Sequence, residues 1–154
     1  QYDCFNDHVS RTITAMGVGS PHLPDLSEQK TADQWMLVNE VLSAEQLEAV
    51  PAGMTAREYL GRYNINRYSQ IYQQDLSQST YSEILDAILY LVFPNFAPWG
   101  GFRPNVTYRF LPYNDSHEEC TMEIFVMMRY PPEQPRPKDC QMIFTKIILK
   151  TSML

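Results

Sequence analysis

The chain has 154 residues, of which 44% are hydrophobic and 19% are charged, and its formal net charge is -6. This size and composition are typical of a folded globular domain with a hydrophobic core, not of a disordered chain. The excess of acids argues against a nucleic-acid-binding module, whose surface is normally basic. Apolar runs such as residues 124–128 are too short to cross a bilayer.

The first segment, residues 2–15, is rich in residues that favour strands, and Asn6-Asp7 interrupts it with a pair common in turns. This pattern predicts a strand or a short hairpin. Glycines and prolines in residues 17–24 then break regular structure.

The middle of the chain has the spacing of helices. Apolar residues recur at helical intervals over residues 32–42. Three further helix starts are predicted by capping-box patterns, in which a Ser or Thr precedes a Gln or Glu by three positions: Ser43 with Gln46, Thr55 with Glu58, and Thr80 with Glu83. The second of these starts predicts the longest helix, to about Gln73, although Gly61 weakens it.

The last third of the chain has the pattern of strands. Residues 87–93 predict a buried strand that ends at Pro94-Asn95, and the alternating segments 106–111 and 120–130 predict two more, with a turn at 113–117. Strands, then helices, then antiparallel strands predict an α+β fold with helices packed on one sheet. The sequence has no internal repeat.

No catalytic or metal-binding motif is evident. The histidines, His8, His22 and His117, lack the spacing of metal ligands, and the cysteines, Cys4, Cys120 and Cys140, form no C-x-x-C pair. Few, odd-numbered cysteines and the absence of an opening signal pattern favour reduced thiols and a cytoplasmic location. Gly100-Gly101 is interpreted as a turn, not as a phosphate-binding loop.

The run Leu89-Tyr90-Leu91-Val92-Phe93-Pro94-Asn95-Phe96 is almost entirely apolar and lies close to Trp99. An apolar strand of this kind is what the wall of a buried pocket requires. A plain central strand has the same pattern, so both interpretations stay open at this point.

Four segments together resemble one protein family: residues 89–104, with Phe93-Pro94-Asn95; Tyr108-Arg109-Phe110-Leu111-Pro112; residues 122–132 with the proline-rich exit that follows; and residues 1–3 with 7–11. In order and spacing they resemble the catalytic domain of the α subunit of Rieske-type aromatic-ring-hydroxylating oxygenases. The resemblance covers residues 1–139, and residues 140–154 form an atypical tail that does not resemble the family.

The resemblance implies a helix-grip (START-like) fold, an antiparallel sheet around a ligand cavity with packed helices, which this chain would form incompletely. In the full-length family two His and one Asp hold a mononuclear Fe(II), and a separate domain holds a Rieske 2Fe-2S cluster. A reductase or ferredoxin supplies electrons, the substrate is a small aromatic or similarly hydrophobic molecule, and the protein is a homo-oligomer, a trimer.

This sequence departs from the family in its ligands. It has no Rieske C-x-H…C-x-x-H pair, and the resemblance places the iron ligands outside the chain. The chain alone is therefore expected to bind no cofactor and to be inactive. The tail suggests a truncated or frame-shifted gene end; it is expected to pair along a sheet edge and not to form the family's C-terminal helix.

The resemblance also implies which residues bind the substrate. Ala87, Leu89 and Leu91 would share one face of their strand, with Trp99 near the cavity rim, while Tyr90 and Val92 face away. Two alternatives to the oxygenase remain: a helix-grip module that binds a hydrophobic ligand without catalysis, and the small non-catalytic β subunit of such oxygenases. No nucleic-acid or membrane partner is expected.

Overall fold

The structure, a computed structural model, describes residues 1–20, 22–23, 26–39, 41–102, 106–127, 129 and 131–135. Within these ranges the chain forms one antiparallel sheet and three α-helices, which confirms the predicted α+β class. The predictions for residues 140–154 fall outside the described residues. The strand predicted at 120–130 ends earlier, at Val126, and the described residues Met127 and Arg129 lie outside it.

The sheet has six described strands, and each pairs antiparallel with the next along the chain. They are β1 (Tyr2–Asn6), β2 (Val9–Thr14), β3 (Ala87–Val92), β4 (Phe96–Gly100), β5 (Val106–Tyr113) and β6 (Ser116–Val126). Because neighbouring strands alternate in direction, the turns of the β1–β2, β3–β4 and β5–β6 hairpins all lie at the same end of the sheet. We call this the hairpin end.

The helices lie between β2 and β3 in the chain: α1 (Glu28–Val38), α2 (Ala56–Tyr72) and α3 (Tyr81–Leu85), with a single 3-10 turn at Ala44–Gln46. The predicted starts at Thr55 and Thr80 are confirmed, since each hydroxyl accepts a hydrogen bond from the backbone three residues later. The end of α2 is also confirmed, because Gln73 adopts a left-handed conformation that closes the helix.

The first helix begins earlier than its apolar spacing predicts, because Ser27 caps it and Glu28 opens it. The Ser43–Gln46 box is formed, but only one 3-10 turn follows it. The backbone beyond this turn is held by the Gln29 side chain, whose amide donates to the Glu48 carbonyl and accepts from the Val50 N–H at 2.7 Å. This contact from α1 keeps the segment extended.

Two features of the strands differ from prediction, the start of β6 and the existence of β4. β6 starts at Ser116 because the turn is only Asn114-Asp115, with Asn114 at φ 53°, a left-handed conformation that asparagine tolerates. The strand β4 was not predicted, since Pro98 and Gly100 are unfavourable inside a sheet. Only Gly101, at φ 77°, has turn geometry; Gly100 pairs with Ile88.

The helices have a hydrophobic core of their own. Its buried members all lie in the helices or in the loop before α3: Ala32, Met36, Ala56, Leu60, Tyr68, Leu76, Ile84 and Leu85. A Cβ on Gly61 would lie 2.3 Å from the Tyr81 ring, so glycine at this position allows α3 to approach α2. No described strand residue belongs to this core. The prediction of helices packed on the sheet is therefore wrong in this respect: the helices pack against one another beside the sheet, because their apolar residues are buried in a core of their own.

A buried carboxylate joins the helices to the sheet. Asp86, directly before β3, accepts hydrogen bonds from Arg57 of α2, from the Met16 backbone after β2 at 3.0 Å, and from Ser82 of α3 at 2.7 Å. Burial alone would raise the pKa of the Asp86 carboxyl, but these donors together hold its pKa below the ordinary value of 3.8. The junction fixes where β3 leaves the helices.

Candidate functional site

The strand pairing gives the sheet two chemically different faces, because residues opposite each other in an antiparallel sheet lie on the same face. One face carries two ion pairs, Asp3–Arg11 between β1 and β2 and Arg109–Glu123 between β5 and β6. Tyr90 lies on this face, opposite Arg11. We call it the charged face.

The opposite face is apolar, and we call it the apolar face. Towards β6 it carries Ala87, Leu89, Leu91, Ala97, Trp99, Tyr108, Phe110, Met122, Ile124 and Val126. Several of these side chains are well exposed, from 46% for Leu91 to 57% for Ile124 and 73% for Val126. At the paired positions whose side chains are described, no charged residue lies on this face.

The residues predicted to bind substrate lie together on the apolar face. Ala87, Leu89 and Leu91 alternate along β3, and Trp99 of β4 is opposite Leu89. Tyr90 and Val92 lie on the charged face, in the orientation expected for them. Leu91 is nevertheless exposed, because no described element covers this part of the sheet. The substrate-binding role of the four residues stays a prediction.

A groove of about 680 Å³ opens at the hairpin end of the apolar face. Its floor includes Leu91, Ala97 and Phe110, and its walls are the β1–β2 and β3–β4 turns. A volume of this order is typical of small-molecule sites in proteins. The apolar face therefore continues from Trp99, through Leu91, into a concave site.

The two turns that wall the groove are joined directly. The Phe93 N–H donates to the His8 carbonyl oxygen at 2.7 Å, and the His8 and Phe93 rings stack with their centroids 5.5 Å apart. Within the first turn, the Asn6 side chain accepts the His8 backbone N–H at 2.8 Å. These contacts fix the separation of the two walls. The width of the groove therefore depends on contacts between segments that are far apart in the chain.

Trp99 contributes a polar group to the apolar face. Its indole Nε1 is buried and has no hydrogen-bond partner among the described residues. A buried N–H without a partner loses its hydration without compensation, a cost of about 1–3 kcal/mol. Trp99 lies opposite Leu89 of the neighbouring strand, on the same face.

The described residues do not offer the ligand set of a mononuclear iron site. No group of three or more His, Cys, Asp or Glu lies close enough to hold a metal ion within the described part of the chain. His8 stacks on Phe93, His22 lies in an exposed loop, and Cys4 and Cys120 are free thiols on exposed strand positions. The position of Cys140 lies outside the described residues.

Sequence reasoning missed the groove and the ring of Phe110, which was placed on a strand but not assigned to a site. The alternation of 106–111 could have indicated Phe110, because it shares a face with Tyr108. Nothing in the sequence indicated that β1 and β3 would share a groove.

Comparison of the chain with protein-family profiles, with curated proteins and with solved structures finds no match. Among the described helices none is both long and apolar enough to cross a membrane.

Proposed function

We propose that this chain supplies the substrate-binding sheet of a Rieske-type ring-hydroxylating oxygenase with a helix-grip fold. The observation that carries the proposal is the apolar face, on which Leu89, Leu91 and Trp99 meet. An antiparallel sheet normally buries such a face against other structure, and here it opens into a groove. The described parts of the segments that resemble the oxygenase family, residues 89–102 and 108–112, include the centre of this face.

In this proposal the chain's own residues bind and orient an aromatic substrate. The leucines of β3 and Phe110 offer apolar surface to a ring, and the Trp99 ring lies on the same face, opposite Leu89. In the full-length protein a non-haem iron would supply oxygen activation. The ligands of that iron are not among the described residues. If the chain bound a hydrophobic ligand without taking part in catalysis, it would instead be a helix-grip ligand-binding module.

Binding can be measured with the protein's own fluorescence. The chain has two tryptophans, so Trp35→Phe leaves Trp99 as the sole indole. Titration with naphthalene is expected to change Trp99 emission in a saturable way. Leu91→Gln should weaken binding about five- to tenfold, because burying part of a leucine contributes about 1 kcal/mol or more.

The matched control is Ile71→Gln. Ile71 of α2 is 44% exposed, against 46% for Leu91, but it lies in a helix and not on the sheet. This control is expected to leave naphthalene binding unchanged. Equal effects of the two substitutions, or no saturable signal, would contradict substrate binding at the apolar face.

The oxygenase assignment has its own test. The genomic sequence on both sides of this chain is expected to encode, in frame, a C-x-H…C-x-x-H pair and a pair of histidines upstream. The purified chain, assayed for iron and for oxygen uptake with a chemical reductant and naphthalene, is expected to show neither. Stoichiometric iron, or uptake coupled to product, would contradict the placement of the ligands outside the chain.

A further inference from the structure

We propose that the groove at the hairpin end selects uncharged aromatic ring compounds and rejects their carboxylated forms. The inference rests on the proposed function, because the groove is the hairpin end of the same apolar face. It goes further by naming the substrate class, and the observations that carry it are the rings and the charges around the groove.

Aromatic residues line the groove from two strands and from the turns. Tyr2 of β1, which pairs with Thr12, and Phe110 of β5, which pairs with Met122, lie on the apolar face, and the stacked pair His8 and Phe93 lies between the two turns. Planar rings favour offset or edge-on contact with other rings, which adds about 0.5–1.5 kcal/mol to area burial. A planar aromatic ligand matches such a set of walls.

Several polar atoms of the groove are already used by the fold. Asn6 Oδ1 accepts the His8 N–H at 2.8 Å, and the Asn95 carbonyl accepts the Phe110 N–H at 2.9 Å. The His8 carbonyl accepts from Phe93. A ligand is therefore not required to satisfy these groups, and an apolar ring can lie against them.

The charges around the groove disfavour an anion. No lysine or arginine is among the described residues that line it, and Asp7 in the first turn supplies a carboxylate. The nearby Arg11 is committed to the charged face, where it pairs with Asp3 at 2.7 Å and lies 5.2 Å above the Phe5 ring. A ligand carboxylate would lose hydration without gaining a counter-ion, and it would be repelled by Asp7.

The test compares 2-methylnaphthalene with 2-naphthoate, which share the same two rings and differ in charge. Dissociation constants are measured by equilibrium dialysis at pH 8 with the full 154-residue chain. Any apolar surface favours the neutral compound, so the decisive measurement is the change in the ratio of the two constants on charge reversal at Asp7.

Asp7→Lys is expected to strengthen naphthoate binding about three- to tenfold and to leave methylnaphthalene binding unchanged. Asp7→Asn, which keeps a turn-forming side chain, should give an intermediate change. The control is Asp115→Lys, because Asp115 is an exposed acid in the β5–β6 hairpin turn at the same end of the sheet and does not line the groove. It should leave the ratio unchanged.

The outcomes separate the two proposals. If both compounds bind in a Leu91-dependent manner and the Asp7 substitutions leave their ratio unchanged, the charge selectivity is overturned and the apolar site stands. If neither compound binds, the apolar site and the selectivity are both overturned. A ratio that follows the charge at position 7, but not at position 115, supports the inference.

Discussion

The Arg57 guanidinium holds the Asp86 carboxylate with two hydrogen bonds, Nη1 to Oδ1 at 2.6 Å and Nη2 to Oδ2 at 2.9 Å. The same guanidinium donates to the Met16 carbonyl at 2.7 Å. The pair thus connects the longest helix to the ends of β2 and β3. Since the helical core contains no described strand residue, this junction is a principal link between the two parts of the fold.

Replacement of Asp86 by alanine is expected to lower the free energy of unfolding by about 2–4 kcal/mol. The change leaves the Arg57 guanidinium and the Met16 N–H without their acceptor, and the Asp86 side chain is only 4% exposed. Urea unfolding monitored by circular dichroism measures the effect. The control is Glu58→Gln, which breaks the exposed Glu58–Arg62 pair and should cost under about 0.5 kcal/mol.

The Asp86 junction also predicts a dependence on pH. The folded-state pKa of Asp86 lies below its ordinary value of 3.8. The contribution of the ionised Asp86 to the free energy of unfolding is therefore complete above that pH. The stabilisation is lost as the pH falls through the folded pKa. Urea midpoints measured from pH 7 to pH 3 should fall more steeply for the natural chain than for Asp86→Asn, with the difference confined to the region below about pH 4. Parallel curves would contradict this role, since other acids contribute equally to both.

Gly61→Ala is expected to destabilise the chain by about 1–3 kcal/mol, although alanine is the better helix former by about 1 kcal/mol. The added methyl would overlap the Tyr81 ring, 2.3 Å from its nearest carbon. Thermal unfolding measures the loss. Gly19→Ala is the control, because a Cβ there meets nothing within 4 Å. In a Tyr81→Ala background the Gly61→Ala change should become neutral or stabilising; a persistent cost would contradict the steric explanation.

The apolar face is expected to bind a fluorescent apolar dye. Ile124→Gln removes an exposed apolar side chain from the middle of β6 and should reduce the fluorescence of bound Nile red, an uncharged dye. Thr121→Gln, on the same strand but on the charged face opposite Leu111, should leave the fluorescence unchanged. Equal signals from both variants would show that the dye binds elsewhere.

Features that depend on neighbours in the chain were predictable. Thr55 and Thr80 cap their helices through the backbone three residues ahead, and the turn predicted near Asn6-Asp7 forms at Asp7-His8 between adjacent strands. The alternation along β3 placed Leu89 and Leu91 on one face. These predictions succeeded because the hydrogen bonds and side-chain directions involved are fixed within a few residues.

The sequence by itself therefore determined the α+β class, most of the elements and the shared face of Ala87, Leu89 and Leu91. Only the tertiary structure decided the strand β4, which carries Trp99 opposite Leu89, the extended segment held by Gln29, and the groove. Each depends on groups far apart in the chain; Met16 and Asp86, which set the junction beside β2 and β3, are 70 residues apart. Local propensity carries no information about such pairing, because its free energy is gained only when the distant strands meet.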